Sequence, residues 1–373
     1  MTWIFWLAAA LVAYTYVGYV CWLRLRILWR FRPVRRGSFT PFVLVVMVVR
    51  NEEKTIDSKL HNLISLDYPA DRYHIVVVSD GSTDRTEEIL REWGRDSRIT
   101  VVLNQIARGK AVGLNDAIEA AQGDLVLFTD ARQKIEPKAL RLLAENFSDP
   151  DVGCASGELM LGDPSQGESG QGLSLYWRIE KRVRELEAAS GSVVGATGAL
   201  YAVRRELLTA VPAGTILDDV YLPMHVAHQG KRVVFDPRAR AWDVPNLGAA
   251  REFSRKVRTL SGNYQLVQLA PWLLSSDNPL RFEFVSHKLL RLAVPFALAT
   301  LLLSSFALSG LFYRAVFIAQ LCFYALSAIA LSRLLRQGIL ARIADAPGTF
   351  VLLNAAALVA LAHIIVGRRT AWR

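Results

Sequence analysis

The chain has 373 residues, 52% of them hydrophobic, and carries a net charge of +10. It is longer than one typical domain and can bury a sizeable core. Its three cysteines, Cys21, Cys154 and Cys322, form no CxxC and no metal spacing, so they point only to a reducing compartment. The basic excess gathers beside an apolar run, where anionic lipid is the nearer partner; no nucleic acid is expected.

Trp3 to Trp22 (WIFWLAAALVAYTYVGYVCW) has no charge for twenty residues, enough to span a hydrocarbon core of about 30 Å at ~1.5 Å per residue. A cleaved signal peptide would carry its basic region first. Here the arginines come after the apolar run, so an uncleaved anchor is expected. Arg24, Arg26, Arg30, Arg32, Arg35 and Arg36 follow directly. By the positive-inside tendency they place this end, and the domain after it, in the cytoplasm. Residues 1–37 thus read as a transmembrane anchor with a basic juxtamembrane segment.

From 38 to 263 the pattern is that of a water-soluble α/β domain. Phe42 to Val49 (FVLVVMVV) is the continuous apolar run of a strand buried on both faces. Ile56, Leu60, Leu63 and Ile64 recur at helical spacing, and Tyr68-Pro69 ends that helix. Strands at His74–Val78, Ile99–Leu103 and Leu125–Phe128 alternate with helices at Thr86–Trp93 and Lys110–Ala121. Such alternation predicts a Rossmann-like, mostly parallel sheet covered by helices.

Ligands of open parallel sheets bind beyond the carboxyl ends of the strands. Three of those ends are acidic here: Glu52-Glu53, Asp80 and Asp130. Wet loops explain one acidic end; three on one edge favour a nucleotide site. There is neither GxxxxGK[ST] nor GxGxxG, which excludes the ATPase P-loop and the dinucleotide fingerprint. Arg108-Gly109-Lys110 opens a helix and offers free N–H groups and two cations to phosphate, or else is a solvated charge cluster. His225 and His228 form an HxxH without a third ligand, which reads as structural.

The order Asn51-Glu52, Ser79-Asp80-Gly81-Ser82-Thr83-Asp84, Gly109-Lys110 with Leu114-Asn115, and Thr129-Asp130-Ala131-Arg132 resembles family 2 glycosyltransferases of the GT-A fold. These include the cellulose, chitin and hyaluronan synthases. Downstream, Gly195-Ala196-Thr197-Gly198-Ala199-Leu200-Tyr201 resembles the family's acceptor loop, and Leu217-Asp218-Asp219 its Thr-Glu-Asp segment. The resemblance implies that Glu52 and Asp80 hold the nucleoside, with Lys110 near the ribose or phosphate. It implies that Asp130 sits by the diphosphate and a Mg²⁺ or Mn²⁺ ion. It further implies Asp219 as catalytic base, with Gly198 and Asp218 in the acceptor region. One inverting displacement needs one base within reach, and positive charge on the departing diphosphate. Asp218 beside Asp219 is expected to raise one carboxyl pKa.

Two departures from the family pattern stand out. Arg132 occupies the last position of the usual Asp-x-Asp, so the metal binds through Asp130, diphosphate and water, or Arg132 itself supplies the charge. The Gln-x-x-Arg-Trp of processive synthases becomes Arg255-Lys256-Val257-Arg258-Thr259, which keeps Arg258 for the diphosphate but lacks the aromatic platform. Processive synthesis is therefore not implied.

Tyr176 to Leu186 is expected to be a core-facing amphipathic helix. Residues 264–287 include Tyr264 to Leu274 (YQLVQLAPWLL), which reads as an interfacial helix or a packed linker. Residues 288–373 carry three further apolar runs, Leu289–Leu311, Ala315–Leu331 and Thr349–Val366. Arg291 and Arg314 sit where long side chains snorkel. Arg333, Arg336 and Arg342 then fall on the cytoplasmic side; Arg368, Arg369 and Arg373 fall opposite, against the trend, unless the last run is re-entrant.

The reading is an inverting glycosyltransferase of the inner membrane, multi-pass, which moves a sugar from a nucleotide-sugar donor to a lipid-linked or saccharide acceptor in envelope polysaccharide synthesis. The resemblance favours UDP as the carrier. A sugar nucleotidyltransferase would want a glycine-rich loop after the first strand, and Val49-Arg50-Asn51-Glu52 has no glycine. A non-catalytic membrane subunit that binds or senses the nucleotide sugar would leave Asp219 without a task.

Overall fold

The computed structural model describes residues 1–162, 175–243, 249–332 and 339–367. Arg333, Arg336, Arg368, Arg369 and Arg373, and with them the expected sidedness of the last helix, lie outside the described residues.

Eight strands form one sheet in the order β3-β2-β1-β4-β7-β6-β8-β5. They are β1 (Val43–Val49), β2 (Tyr73–Asp80), β3 (Ile99–Asn104), β4 (Leu125–Phe128), β5 (Lys134–Ile135), β6 (Val152–Leu161), β7 (Tyr201–Arg204) and β8 (Arg232–Asp243). The first four in sequence pair in parallel, with Val43 opposite Tyr73 on one side and Leu125 on the other. β7 runs antiparallel to both β4 and β6, β8 runs parallel to β6, and β5 is a short antiparallel edge. The parallel half agrees with the sequence pattern; the strands after Lys134 had no such alternation to reveal them.

All seven residues of β1 are buried, because the sheet is covered on both sides. Leu44, Val46 and Val48 face one core, which includes the Lys110–Ala120 and Asp218–His228 helices. Val43, Val45, Met47 and Val49 face the other, against the Ile56–Ile64 and Ala139–Glu145 helices. Gly113 sets the close approach on the first side, since a Cβ there would lie 2.7 Å from Val48 Cγ1.

Among the described residues, four helices are long and apolar enough to cross a membrane: Thr2–Trp29, Arg281–Ala307, Leu311–Ser332 and Ala344–Ile365. Large apolar side chains project from them uncovered, with Trp3 81% and Leu311 86% exposed; a surface of this kind needs a nonaqueous cover. The first helix outruns its apolar stretch by two turns and carries Arg24 and Arg26 with it. Tyr264–Leu269 completes the Ala249–Leu269 helix, which packs through Val257 on Ala356 and Ala360 of the last apolar helix.

Buried polar contacts pin the first two apolar helices to the Leu175–Ser190 helix. Tyr19 donates to Glu187 Oε1 at 2.7 Å, and the two ring nitrogens of His287 meet Glu187 at 2.9 Å and Glu180 at 3.1 Å. Arg26 donates to Ser190 Oγ at 3.0 and 2.8 Å and pairs with Glu283. Burial pushes the Glu180 carboxyl up, but Arg291 and His287 outweigh it and hold the group well below the usual carboxylate range. Val183 and Leu186 of the same helix pack on Tyr19 and Leu23, so its apolar face meets the N-terminal helix.

Candidate active site

The loops after β1, β2, β3 and β4 meet at the carboxyl edge of the sheet. Asn51 takes a left-handed conformation (φ 53°), which a short polar side chain tolerates. Its Oδ1 accepts the Thr83 N–H at 2.8 Å, while the Glu52 and Glu53 amides donate to Thr86 Oγ1 at 2.8 Å and Asp84 Oδ2 at 3.2 Å. The first two loops are thus zipped into one wall. Gly81 (φ 63°) lets that wall pass the next loop, where a Cβ would sit 2.6 Å from Ala107 N.

Asp80 is fully buried. Its carboxylate accepts the backbone N–H groups of Arg108 at 2.7 Å and Gly109 at 2.9 Å, and so holds the loop that starts the Lys110–Ala120 helix. Arg108 pairs with Asp116 on the same helix. Lys110 bridges two acids, 3.0 Å from Asp130 Oδ1 and 3.3 Å from Asp218 Oδ1. Burial opposes its charge, yet Asp130 and Asp218 win, and the ammonium's pKa lies above the ordinary lysine value. Glu52 accepts Thr55 Oγ1–H at 2.7 Å and lies 3.4 Å from Arg132 Nε, so Arg132 reaches back across the edge toward the first loop.

Lys59 was not singled out by the sequence. It is buried beneath the Thr129–Arg132 loop, donating to Thr129 Oγ1 at 2.9 Å and to the Gln133 carbonyl at 2.6 Å. Burial pushes its pKa down to about 7, against the pull of Asp130. A lysine in a helix's apolar stripe, with Ile56 and Leu60 for neighbours, was the only available signal.

Asp218 and Asp219 open the Asp218–His228 helix. Asp218 is buried against Lys110 and takes a long 3.4 Å hydrogen bond from Tyr201, whose ring stacks on Phe128 at 4.7 Å. Asp219 instead faces open space beside Gly198, where an added Cβ would lie 3.1 Å from Asp219 Oδ2. Burial and then the Asp218 charge push the Asp219 carboxyl up to about 6, with Lys110 and Lys288 opposing.

Asp219, Gly198, Lys110, Asp130 and Arg258 share one cavity of about 410 Å³. The lining residues Gln133, Glu158, Arg258 and Asn263 each have a buried side-chain polar atom without a hydrogen-bond partner among the described residues. Buried polar atoms are normally satisfied, so this cavity is shaped for a polar ligand. Glu52, Asp80 and Arg132 lie outside its lining, on the adjoining loops. The far wall comes from elements the sequence did not connect to the site: Trp177 and Arg184 of the Leu175–Ser190 helix, and Lys288 of an apolar helix. Arg291, expected to snorkel, turns inward and donates to Glu180 Oε2 at 2.8 Å. His225 and His228 both contact the Trp272 ring, each at 4.7 Å between centroids.

Asp218 has its two carboxylate oxygens engaged by Lys110 and Tyr201, which leaves Asp130, on the loop after β4, as the carboxylate for a metal ion beside the diphosphate. The Asp130 side chain is 40% exposed, and its second oxygen has no hydrogen-bond partner among the described residues. No three His, Cys, Asp or Glu side chains among the described residues gather into a metal cage. This donor set fits an ion held mainly by phosphate and water, the habit of Mg²⁺.

Comparison with known proteins bears on the family and the fold. Residues 44–211 match the family model described as glycosyl transferase family 2. Poly-beta-1,6-N-acetyl-D-glucosamine synthase of Staphylococcus aureus (strain COL) is 23% identical over 229 residues, 60% of this chain and 55% of the relative. The Staphylococcus epidermidis protein of the same name is 24% identical over 226 residues, 60% and 54% of the two chains. The chain therefore spans about half the length of these curated relatives. Among solved structures, a mannosyltransferase from Pyrobaculum calidifontis in complex with GDP-Man and Mn²⁺ superposes with a TM-score of 0.75 at 23% identity, covering 98% of this chain and 99% of that one. Its likeness bears on the fold, including the apolar helices. Residues 44–211 belong to glycosyltransferase family 2, carried on a GT-A fold.

Proposed function

We propose that the protein is an inverting glycosyltransferase that moves a sugar from a nucleotide-sugar donor onto a hydroxyl-bearing acceptor at a membrane. The observation that carries this is the position of Asp219: a carboxylate beside the open Cα of Gly198, in one cavity with Lys110, Asp130 and Arg258. In the reaction, the acceptor oxygen attacks the anomeric carbon while the bond from that carbon to the diphosphate breaks. Asp219 takes the hydroxyl proton, and the nucleoside diphosphate leaves with the electron pair. Lys110 and Arg258 offer the positive charge the departing diphosphate needs. Asp130 would hold a Mg²⁺ or Mn²⁺ ion carried with the diphosphate, which adds to that charge. Glu52 and the loop stapled by Asp80 would seat the nucleoside.

The relatives' name supports an envelope polysaccharide as the setting, and the four apolar helices support a multi-pass membrane protein whose catalytic domain, by its adjoining arginines, faces the cytoplasm. Detergent-purified protein, assayed for nucleoside diphosphate release across a panel of UDP- and GDP-sugars, is expected to consume one donor preferentially. Tight donor binding with no release, with and without acceptor lipids, would favour a sensing subunit instead.

A further inference from the structure

The active-site cavity does not stop at the catalytic domain. Its floor is made by Tyr16 of the first apolar helix and by Leu353, Asn354 and Ala357 of the last. A second pocket of about 390 Å³ shares Tyr16 and Arg178 with it and opens between the first apolar helix and the Leu175–Ser190 helix. The mouth is two-toned. Val17, Val20, Cys21 and Ile179 give an apolar strip, with Val17 62% exposed, and Arg24, Arg178 and Arg182 stand beside it.

Charge along this route is one-sided. Nine Lys and Arg line the main cavity against five Asp and Glu. Some are already committed: Lys110 to two aspartates, Lys181 to Glu158 at 2.8 Å, and Arg184 to Glu180 at 3.6 Å. Neither Arg178 at the shared boundary nor Lys288 farther in makes an ion pair among the described residues. Lys288 lies close enough to Asp219 to oppose its pKa rise. An apolar strip that opens on a membrane-type helix, followed by Arg178, then by Lys288 in the field of Glu180 and Glu187, and then by the base, matches an amphiphile with an anionic headgroup.

We propose that the acceptor is a membrane lipid whose headgroup carries a phosphate and a free hydroxyl, and that it enters sideways between the Thr2–Trp29 and Leu175–Ser190 helices. Its alkyl chain lies along Val17, Val20 and Ile179, its phosphate meets Arg178 and Lys288, and its hydroxyl reaches Asp219. This rests on the transferase reading for the last step only; the lipid site stands without it. Donor, proton and leaving group are as already described, with the headgroup hydroxyl as the attacking oxygen.

The test uses the full chain in phosphatidylcholine nanodiscs, with radiolabelled dodecyl phosphate as probe and no sugar donor present. Saturable binding is expected, weakened on the order of tenfold by Arg178→Glu, which reverses one charge contact, and comparably by Val17→Trp, which blocks the mouth at an exposed position. Lys138→Glu, the same charge reversal at an exposed site on the catalytic domain, is expected to leave binding unchanged. Equal binding in all three variants, or displacement by inorganic phosphate as effective as by unlabelled dodecyl phosphate, overturns the proposal. In a second arm, donor sugar is to appear in the organic-solvent extract of phosphatidylglycerol-containing nanodiscs. Transfer only to a water-soluble saccharide, with the same acceptor KM in Val17→Trp, overturns the lipid acceptor and leaves the transferase reading intact. Probe binding without any sugar transfer keeps the lipid site and counts against the transferase.

Discussion

Asp218→Asn gives the sharpest reading of how the base is tuned. In the wild type, burial and the neighbouring Asp218 charge push Asp219 up to about 6. A base must be ionised, so turnover is expected to fall as pH drops through that value. About nine-tenths of Asp219 is ionised at pH 7 and just under one-tenth at pH 5, so kcat is expected to fall roughly tenfold between them. Asn at 218 removes the adjacent negative charge and leaves Lys110 one acid fewer to serve, so both changes favour ionised Asp219. Burial, the larger cause, remains, so the Asp219 midpoint moves part of the way toward the ordinary carboxylate value of about 4, and the fall in kcat between pH 7 and pH 5 is expected to be smaller than in the wild type. The absolute rate is expected to drop as well, because Lys110 loses its 3.3 Å partner and Tyr201 its acceptor. The informative quantity is therefore the midpoint, read from initial rates of nucleoside diphosphate release at saturating donor from pH 4.5 to 8. An acid limb at the same pH in wild type and variant would refute the electrostatic coupling.

Other expectations follow from single contacts. Asp80→Asn keeps one acceptor for the Arg108 and Gly109 amides and forfeits the other, a charge-assisted bond of about 1.5 kcal/mol, so donor KM is expected to rise roughly tenfold with kcat nearly constant; an unchanged KM counts against the stapled loop. Arg26→Leu leaves Glu283 buried without its cation at a cost of about 3–5 kcal/mol, seen as a lowered Tm in detergent, and the Arg26→Leu/Glu283→Leu pair is expected to recover most of it. Chelation is expected to lower turnover while leaving Tm unchanged, since Asp130 alone makes a poor cage and the ion is held chiefly by the donor; full activity after exhaustive chelation would assign the charge to Arg132 and Lys110.

The parallel half of the sheet was legible because its signals are local. The β1 run is apolar at every position, and each strand ends in a polar loop within a few residues. The places of Glu52, Asp80 and Asp130 at strand ends were legible for the same reason, whereas the roles expected of them, and of Lys110 and the Asp218-Asp219 pair, came from the family resemblance. What the sequence hid are contacts between distant segments. Glu180 and His287 are 107 residues apart and meet at 3.1 Å, and neither position carries a pattern that names the other. Lys288 directly precedes the Leu289–Leu311 apolar run and was given no role, yet it forms part of the cavity wall. Strands β6 to β8, of which β7 runs antiparallel to both its neighbours, escaped because Cys154-Ala155-Ser156 lacks the clean alternation of a half-exposed sheet; β6 is buried at its first seven positions. The Asp80 carboxylate was read from its residue type as a ligand group, and only the structure shows its two backbone donors.

The most direct measurement is nucleoside diphosphate release by purified Asp219→Asn protein beside the wild type, with donor affinity measured separately by equilibrium binding. Removal of a general base is expected to lower turnover by about 10²–10⁴, while donor affinity stays within about twofold because Asp219 serves the acceptor side. Turnover at the wild-type rate would contradict the account, since Asp218 is already engaged by Lys110 and Tyr201.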